Sequence, residues 1–339
     1  MSEANSRRER GRGLSSCGYH SSALAARGHL LPQGEKEKRS LRAKRSSPVS
    51  HPHRDRFLTG LLGAPIAQSA APAMHERAAD ALGLRCHYQL IEAFGAGRQE
   101  LTLLLEGVRR LGFAGINVTF PYKEAVLDLL DEISPGAALI GAVNTVVVRD
   151  GRLIGHNTDT TGFARAAGPL VTGSSPGAVA VIGAGGVGKA IAFALAGLGV
   201  TDLRIFDPVP GKAVQLAAKL ADHANANVVH CVEDALSGVV GMVNASPVGM
   251  LPSLDTPVPD GLLHSGLWVA DAVYSPLWTP LLTAARARGA TVMTGRDLAV
   301  HQAADAFELF TGHVPSTSEI AIAFDDVMAK RYGASQAAR

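Results

Sequence analysis

The stretch AVAVIGAGGVGKAIAFALAGLGV, Ala178 to Val200, carries one charged residue, Lys189, and has the apolar density of a membrane span. Its glycines argue otherwise. Gly183, Gly185, Gly186 and Gly188 crowd into one place, which encodes a short strand, a tight turn and a buried helix. In the run Gly183-Ala184-Gly185-Gly186-Val187-Gly188 the first glycine makes the turn and the second lets the backbone approach a pyrophosphate. The third lets the helix pack close to the strand. A helix beginning near Gly186 aims its N-terminal amides at those phosphates. This is the fingerprint of a Rossmann-like dinucleotide site.

Asp207 closes the next strand, LRIFD, about twenty residues beyond the last of these glycines, where a carboxylate suits adenosine ribose hydroxyls and repels a 2′-phosphate. FDPVPGKA supplies Lys212 and no arginine to receive such a phosphate, so NAD is expected over NADP. The other reading of Asp207 is a turn or cap residue before Pro208.

Outward from the fingerprint, strands alternate with amphipathic helices. Strands are expected at Val179 to Gly183, Leu203 to Phe206, Val228 to His230, Met242 to Ala245, Trp268 to Val273 and Thr291 to Met293. Upstream, strands fall at Phe57 to Gly63, Cys86 to Ile91, Ile116 to Thr119, Ala142 to Val148 and Leu153 to His156. Helices fall at Pro72 to Leu82 and Gln99 to Leu111. A helix from Asp159 to Ala167 hands over to the loop GPLVTGSSPG, and later helices start at Leu298 and run from about Ser318 to Ala329. The pattern implies α/β architecture with a mainly parallel sheet and right-handed crossovers.

The composition suits that class. The chain has 339 residues, 47% hydrophobic, 18% charged and 5% aromatic, with 37 glycines, enough for two cores of ordinary domain size. Residues 1 to 56 hold 13 Lys and Arg against 5 Asp and Glu, a net of +8, and the remainder holds 19 against 25, a net of −6. The basic segment lacks apolar periodicity and reads as a disordered, dispensable extension; Glu3, Glu9, Glu35 and Glu37 spoil a transit peptide. The mildly acidic body argues against nucleic-acid or membrane partners. Cys17, Cys86 and Cys231 form no Cys-x-x-Cys pair, so no metal site is expected and a reducing cytoplasm is the natural setting.

One stretch poses an electrostatic question. In NVTFPYKEAV, Asn117 to Val126, a helix is expected from Pro121, with Val126, Leu129, Leu130 and Ile133 as its apolar stripe. Lys123 would then sit in the first turn, where a cation is disfavoured. It is either a surface residue paired with a neighbouring acid or a group put there for chemistry.

Several pieces together resemble the shikimate dehydrogenase family, including its NAD-linked quinate/shikimate branch. They are GAPIAQSAAPAMH (Gly63 to His75), NVTFPYK (Asn117 to Lys123), GAVNT (Gly141 to Thr145), GHNTDTTG (Gly155 to Gly162), GAGGVGKA (Gly183 to Ala190), NASPVGM (Asn244 to Met250), DAVYSP (Asp271 to Pro276) and HQAADAF (His301 to Phe307). The resemblance implies two domains. A substrate-binding domain at 57–160 and a Rossmann-like domain at 161–297 enclose a cleft, and helices at 298–333 return to the first domain.

It also implies reversible hydride transfer between NAD(P) and a cyclic hydroxy acid such as shikimate or quinate. Lys123 and Asp159 are the implied acid/base pair, best treated as one titrating unit. On spacing alone Asp159 could instead cap the helix that follows. The resemblance assigns Thr119 and Asn144 to substrate hydroxyls, brings Gln302 into the substrate site from the late helix, and puts Ser69 and Tyr274 at the carboxylate and Gly295 with the Asn244 to Met250 loop beside the nicotinamide. A monomer or homodimer is expected. One departure stands out: where the family has a second hydroxyl residue after Ser69, this chain has Ala71. That opens the alternatives of quinate or an aminated analogue, and a dinucleotide sensor without catalysis is disfavoured by the intact pair.

Overall fold

A computed structural model describes residues 55–333. The basic segment, read as an extension through residue 56, lies outside the described residues except for its last two. Strand β1 (Arg56–Gly63) opens the first sheet and is followed by α1 (Ala71–Ala81), β2 (Arg85–Glu92), α2 (Arg98–Arg110) and β3 (Gly115–Val118). Then come β4 (Glu132–Ile133), α3 (Pro135–Ile140), the hairpin β5 (Thr145–Arg149) and β6 (Arg152–His156), and α4 (Thr158–Gly173).

The strand order is β2-β1-β3-β5-β6-β4. β1 pairs parallel with both β2 and β3, whereas β5 runs antiparallel to β3 and to β6. The sheet is thus mixed, because a tight turn at Asp150 and Gly151 replaces the crossover that a parallel pair needs.

The second sheet comprises β7 (Val179–Ile182), α5 (Gly186–Gly197), β8 (Asp202–Phe206), α6 (Pro210–Leu220), β9 (Asn225–Val228) and α7 (Val232–Leu236), then β10 (Gly241–Asn244), β11 (Trp268–Asp271), α8 (Pro280–Ala287) and β12 (Thr291–Met293). All its pairs are parallel, in the order β12-β11-β10-β7-β8-β9. The order reverses between β7 and β10, and ligands of doubly wound sheets bind in the crevice beyond such a point. Helices α9 (Gly295–Thr311) and α10 (Thr317–Tyr332) end the described chain. Their apolar faces share a core with α1, where Ala78, Ala303, Phe307 and Phe324 are buried, and Arg77 bonds Glu319 at 2.7 Å. The domain boundaries expected at 160 and 297 fall inside α4 and α9.

The strand expected at Val228 to His230 is displaced, since β9 ends at Val228, and three larger expectations need correction. No α-helix follows Pro121. The Lys123 carbonyl, which a helix would give to Leu127, accepts from Val143 N at 2.8 Å, and Asp131 N donates to Leu153 O at 3.0 Å, as a strand residue would. The segment is a turn, a 3-10 turn at Leu127–Leu129 and then β4; the apolar residues read as a helical stripe still pack on the first sheet's core.

The second correction concerns α4, which continues through Pro169 to Gly173 instead of stopping at Ala167. A proline removes one hydrogen bond, and packing of Leu170 and Val171 on the core beneath α5 offsets that loss. Third, α3 is an additional helix, although its signals are present: Ser134 caps it by accepting from Ala137 N, Pro135 begins it and left-handed Gly141 ends it. Among the described residues no helix is long and apolar enough to cross a membrane, and no group of three or more His, Cys, Asp or Glu could hold a metal ion.

Candidate active site

Two glycines of the fingerprint, Gly183 and Gly188, have their expected physical reasons. Gly183 has φ +105, and a Cβ there would lie 2.9 Å from the Ala245 carbonyl, so only glycine lets β7 turn beside the loop after β10. A Cβ on Gly188 would come within 2.0 Å of the Gly183 oxygen. A Cβ on Gly185 would meet open space, and no side chain caps the N-terminus of α5 there. Uncapped amides facing open space beside a strand-order reversal fit a dinucleotide pyrophosphate. Ala184 and Val187 complete this turn, and Ala184 N donates to Asp207 Oδ2 at 2.8 Å.

Asp207 is nine-tenths buried, and its Oδ1 accepts from Val209 N at 2.8 Å. The carboxylate therefore braces the fingerprint turn and its own loop, as the turn-residue reading of Asp207 expects. The loop after β10 is shaped by Asn244. Its Nδ2 donates to Asp271 Oδ1 at 2.9 Å and Val248 O at 3.0 Å, and its Oδ1 accepts from Ser246 N and Oγ. With all four bonding positions used inside the protein, Asn244 holds the loop instead of presenting its amide to a ligand. Gly295 begins α9, where a Cβ would stand 2.5 Å from the Val273 oxygen.

Across the crevice, Lys123 Nζ donates to Asp159 Oδ2 at 2.5 Å, with side chains only 13% and 8% exposed. The helix cap is Asn157, whose side chain accepts from Thr160 N. Asp159 occupies the second position of α4, where the positive helix end favours an anion. Asn144 Nδ2 donates to Asp159 Oδ1 at 2.9 Å and to Thr158 Oγ1 at 3.0 Å, and Asn144 Oδ1 accepts from Thr158 N at 2.7 Å. Both amide donors of Asn144 thus orient the carboxylate and its helix; bonding a substrate hydroxyl requires one of them to let go.

The other expected residues lie on separate elements. Ser69 Oγ accepts from Ala71 N at 3.2 Å at the start of α1. Thr119 is half-buried at the end of β3, its methyl against Gly63. Gln302 lies where α9 touches α4, since a Cβ on Gly162 would come within 2.7 Å of its backbone nitrogen; its Nε2 donates back to Ala299 O at 3.1 Å. Tyr274 packs edge-on to Phe324 at 5.6 Å, and burial raises its phenol.

Residues behind the pair escaped the sequence reading. Tyr88 donates to Asn117 Oδ1 at 2.8 Å, Asn117 Nδ2 donates to Thr145 Oγ1 at 3.1 Å, and Thr145 Oγ1 donates to Asn144 Oδ1 at 3.0 Å. This buried relay runs beneath the substrate face and stiffens it. Its one sequence signal is polar residues, Asn117 and Thr145, at inward-facing strand positions. His75, stacked on Tyr88 at 4.6 Å, is held down to about 3 by burial and stays a neutral ring.

Comparison with known proteins agrees with this arrangement. Residues 61–146 match the shikimate dehydrogenase substrate binding domain. The chain is 44% identical over 270 residues to an NADP-dependent shikimate dehydrogenase of Streptomyces avermitilis, spanning 78% of this chain and 93% of that protein. It is 43% identical over 278 residues to an NAD-dependent quinate/shikimate dehydrogenase of Corynebacterium efficiens, spanning 80% and 98%. Among solved structures, quinate dehydrogenase from Corynebacterium glutamicum in complex with NAD superposes with TM-score 0.74 at 40% identity, covering 79% of this chain and 98% of that one. With these likenesses running across both sheets, the chain belongs to the shikimate dehydrogenase family, as an NAD(P)-dependent oxidoreductase of the shikimate/quinate dehydrogenase type.

Proposed function

We propose that the protein transfers hydride between the secondary alcohol of shikimate or quinate and NAD, with Lys123 and Asp159 as its acid/base pair. The observation that carries this reading is the 2.5 Å Lys123–Asp159 contact at the crevice. The Lys123 stem lies beside the start of α5, since a Cβ on Gly186 would be 3.4 Å from Lys123 Cδ. Bound at the fingerprint, the nicotinamide would supply the hydride acceptor.

As hydride leaves the carbinol carbon, the hydroxyl proton passes to the uncharged Lys123 amine; in the reverse direction the ammonium gives that proton to the carbonyl oxygen. Asp159, fixed by Asn144, stabilises the ammonium and aims it. Thr119 and Gln302 are proposed to bond the ring hydroxyls, and Ser69 and Tyr274 to receive the carboxylate. NAD is favoured over NADP by Asp207 and by the lack of an arginine in the loop after β8. Arg204 points away, bonding Asp234 O at 3.0 Å.

A second reading, a dehydrogenase for another alicyclic acid such as an aminated shikimate analogue, is favoured by Ala71, which brings a buried methyl to the start of α1 where the family has a hydroxyl. Steady-state oxidation of shikimate and quinate, each with NAD and with NADP, tests both. The expected result is the highest specificity constant with NAD. An NADP preference would overturn the cofactor assignment, and no turnover of either acid would turn the reading to the second substrate class.

A further inference from the structure

Lys189 is buried in the first turn of α5, its side chain 8% exposed, and its Nζ pairs with Glu124 Oε1 at 2.8 Å. A cation removed from water needs a partner, and this one is found outside its own sheet. Glu124 follows Lys123 in the turn after β3, half-exposed at 51%, whereas Lys189 follows the last fingerprint glycine. The ion pair therefore ties the turn bearing Lys123 to the helix whose N-terminus faces the dinucleotide. The tie has a second point three residues earlier on α5, where the Lys123 Cβ and Cδ lie against Gly186, 3.5 and 3.4 Å from where its Cβ would be. On its other side the turn is fixed by the Lys123 carbonyl accepting from Val143 N at 2.8 Å.

We infer that Glu124 and Lys189 are positioning residues, a clamp that fixes the Lys123 amine relative to the dinucleotide helix and hence to the hydride-accepting face. The inference rests on the proposed role of Lys123. Proton and hydride leave adjacent atoms of one alcohol, so the amine and the acceptor must be placed together, and an error of about 1 Å in such placement can cost about a hundredfold in rate. The pair bonds within the protein, Lys189 to Glu124, so its loss should register in the chemical step and leave ligand affinities alone.

The test compares Glu124→Gln, Lys189→Met, their double variant, Lys189→Arg and the charge-swapped Glu124→Lys/Lys189→Glu. It measures kcat, KM for the alcohol, NAD affinity by fluorescence titration and thermal midpoint. The expected result is that each single neutral variant loses about tenfold or more in kcat with KM and NAD affinity little changed. The double variant should be no worse than the poorer single one, and Lys189→Arg should keep most activity. A lowered thermal midpoint with wild-type kcat would overturn the inference, as would additive losses in the double variant. A loss of NAD affinity matching the loss of activity would make Lys189 a phosphate ligand and also overturn it. Should Lys189→Met not fold, Glu124→Gln at its half-exposed position decides alone. Wild-type turnover of shikimate or quinate, measured alongside, separates failure of the clamp from failure of the proposed reaction.

Discussion

Replacing Asp159 by asparagine keeps the side chain's shape and removes its charge, and the geometry fixes the consequence. Position 159 has two demands that a carboxylate meets and an amide does not: accepting from Lys123 Nζ at 2.5 Å and from Asn144 Nδ2 at 2.9 Å. If the amide turns its oxygen to Asn144, its NH2 group faces the ammonium, donor against donor. If it turns the other way, Asn144 loses its acceptor. Breaking a buried pair by removing one partner costs about 3 to 5 kcal/mol. The lysine would then lose the acceptor that holds it and be poorly aimed at the substrate oxygen. Acid/base catalysis contributes about 10² to 10⁴ in rate, so kcat for Asp159→Asn should fall at least about a hundredfold, close to 2.7 kcal/mol on the barrier. NAD affinity should hold, because the fingerprint turn is untouched. The assay is the initial rate of reduced-cofactor formation at saturating alcohol and NAD, with affinity by fluorescence titration. Turnover close to wild type would refute the pair and return Asp159 to a charged neighbour of a helix end.

Four other outcomes rest on single residues. Gly188→Ala puts a methyl 2.0 Å from the Gly183 oxygen, and should cost about 1 to 3 kcal/mol in a denaturant titration and weaken NAD binding; an unchanged midpoint would contradict the close approach. Asp207→Ala should narrow the preference for NAD over NADP in specificity constant, and an unaltered ratio would leave Asp207 as a brace for Ala184 and Val209 only. Ala71→Ser should lower KM for shikimate about tenfold, one charge-assisted hydrogen bond's worth, with kcat little changed as expected of uniform binding; an unchanged or raised KM would favour a different acid. Asp271 is fully buried on β11, and burial outweighs three hydrogen bonds from Asn244, Val273 and Thr279 to raise its carboxyl from 3.8 to about 7. The folded protein binds that proton more tightly than the unfolded chain, so this contribution to stability is full below about pH 4 and is lost as pH rises through about 7, a span on the order of 4 kcal/mol. Thermal midpoints of wild type and Asp271→Asn between pH 5 and 8 should therefore diverge in slope, the wild type falling more steeply; parallel curves would contradict the raised carboxyl.

What could be read from the sequence was whatever the backbone itself demands. Gly183 and Gly188 are required by atoms of the same strand-turn-helix unit or the adjacent loop, and the alternation around them gave the parallel sheet and its order-reversing crevice. Ser134, Pro135 and Gly141 spelled a helix just as plainly, but the helix expected over residues 121–133 occupied the ground up to it. That error has a physical cause. Val126, Leu129, Leu130 and Ile133 are spaced like a helical stripe, yet the same residues reach the core from a turn and a short edge strand, because Val143 N claims the Lys123 carbonyl and Leu153 pairs with Asp131. Partners brought from twenty or more residues away decide between those two backbones, and spacing carries no record of them. The relay through Tyr88, Asn117 and Thr145 was hidden for the same reason, since a buried polar residue announces a need for a partner without saying which.

The correction changes the electrostatic account of the site. A lysine at a helix N-terminus would have been a cation in an unfavourable field, with its chemistry explained by that tension. Lys123 is in a turn, and the helix end that matters is that of α4, whose second residue is the anion Asp159. The field of α4 therefore favours the carboxylate, Asn144 adds a hydrogen bond to it, and the carboxylate in turn favours the ammonium. Such a chain of support fixes the Lys123 amine in one place, bonded to a carboxylate that Asn144 and the helix end hold still. Asp159→Asn cuts that chain at its middle, which is why its expected cost falls on turnover and not on NAD affinity.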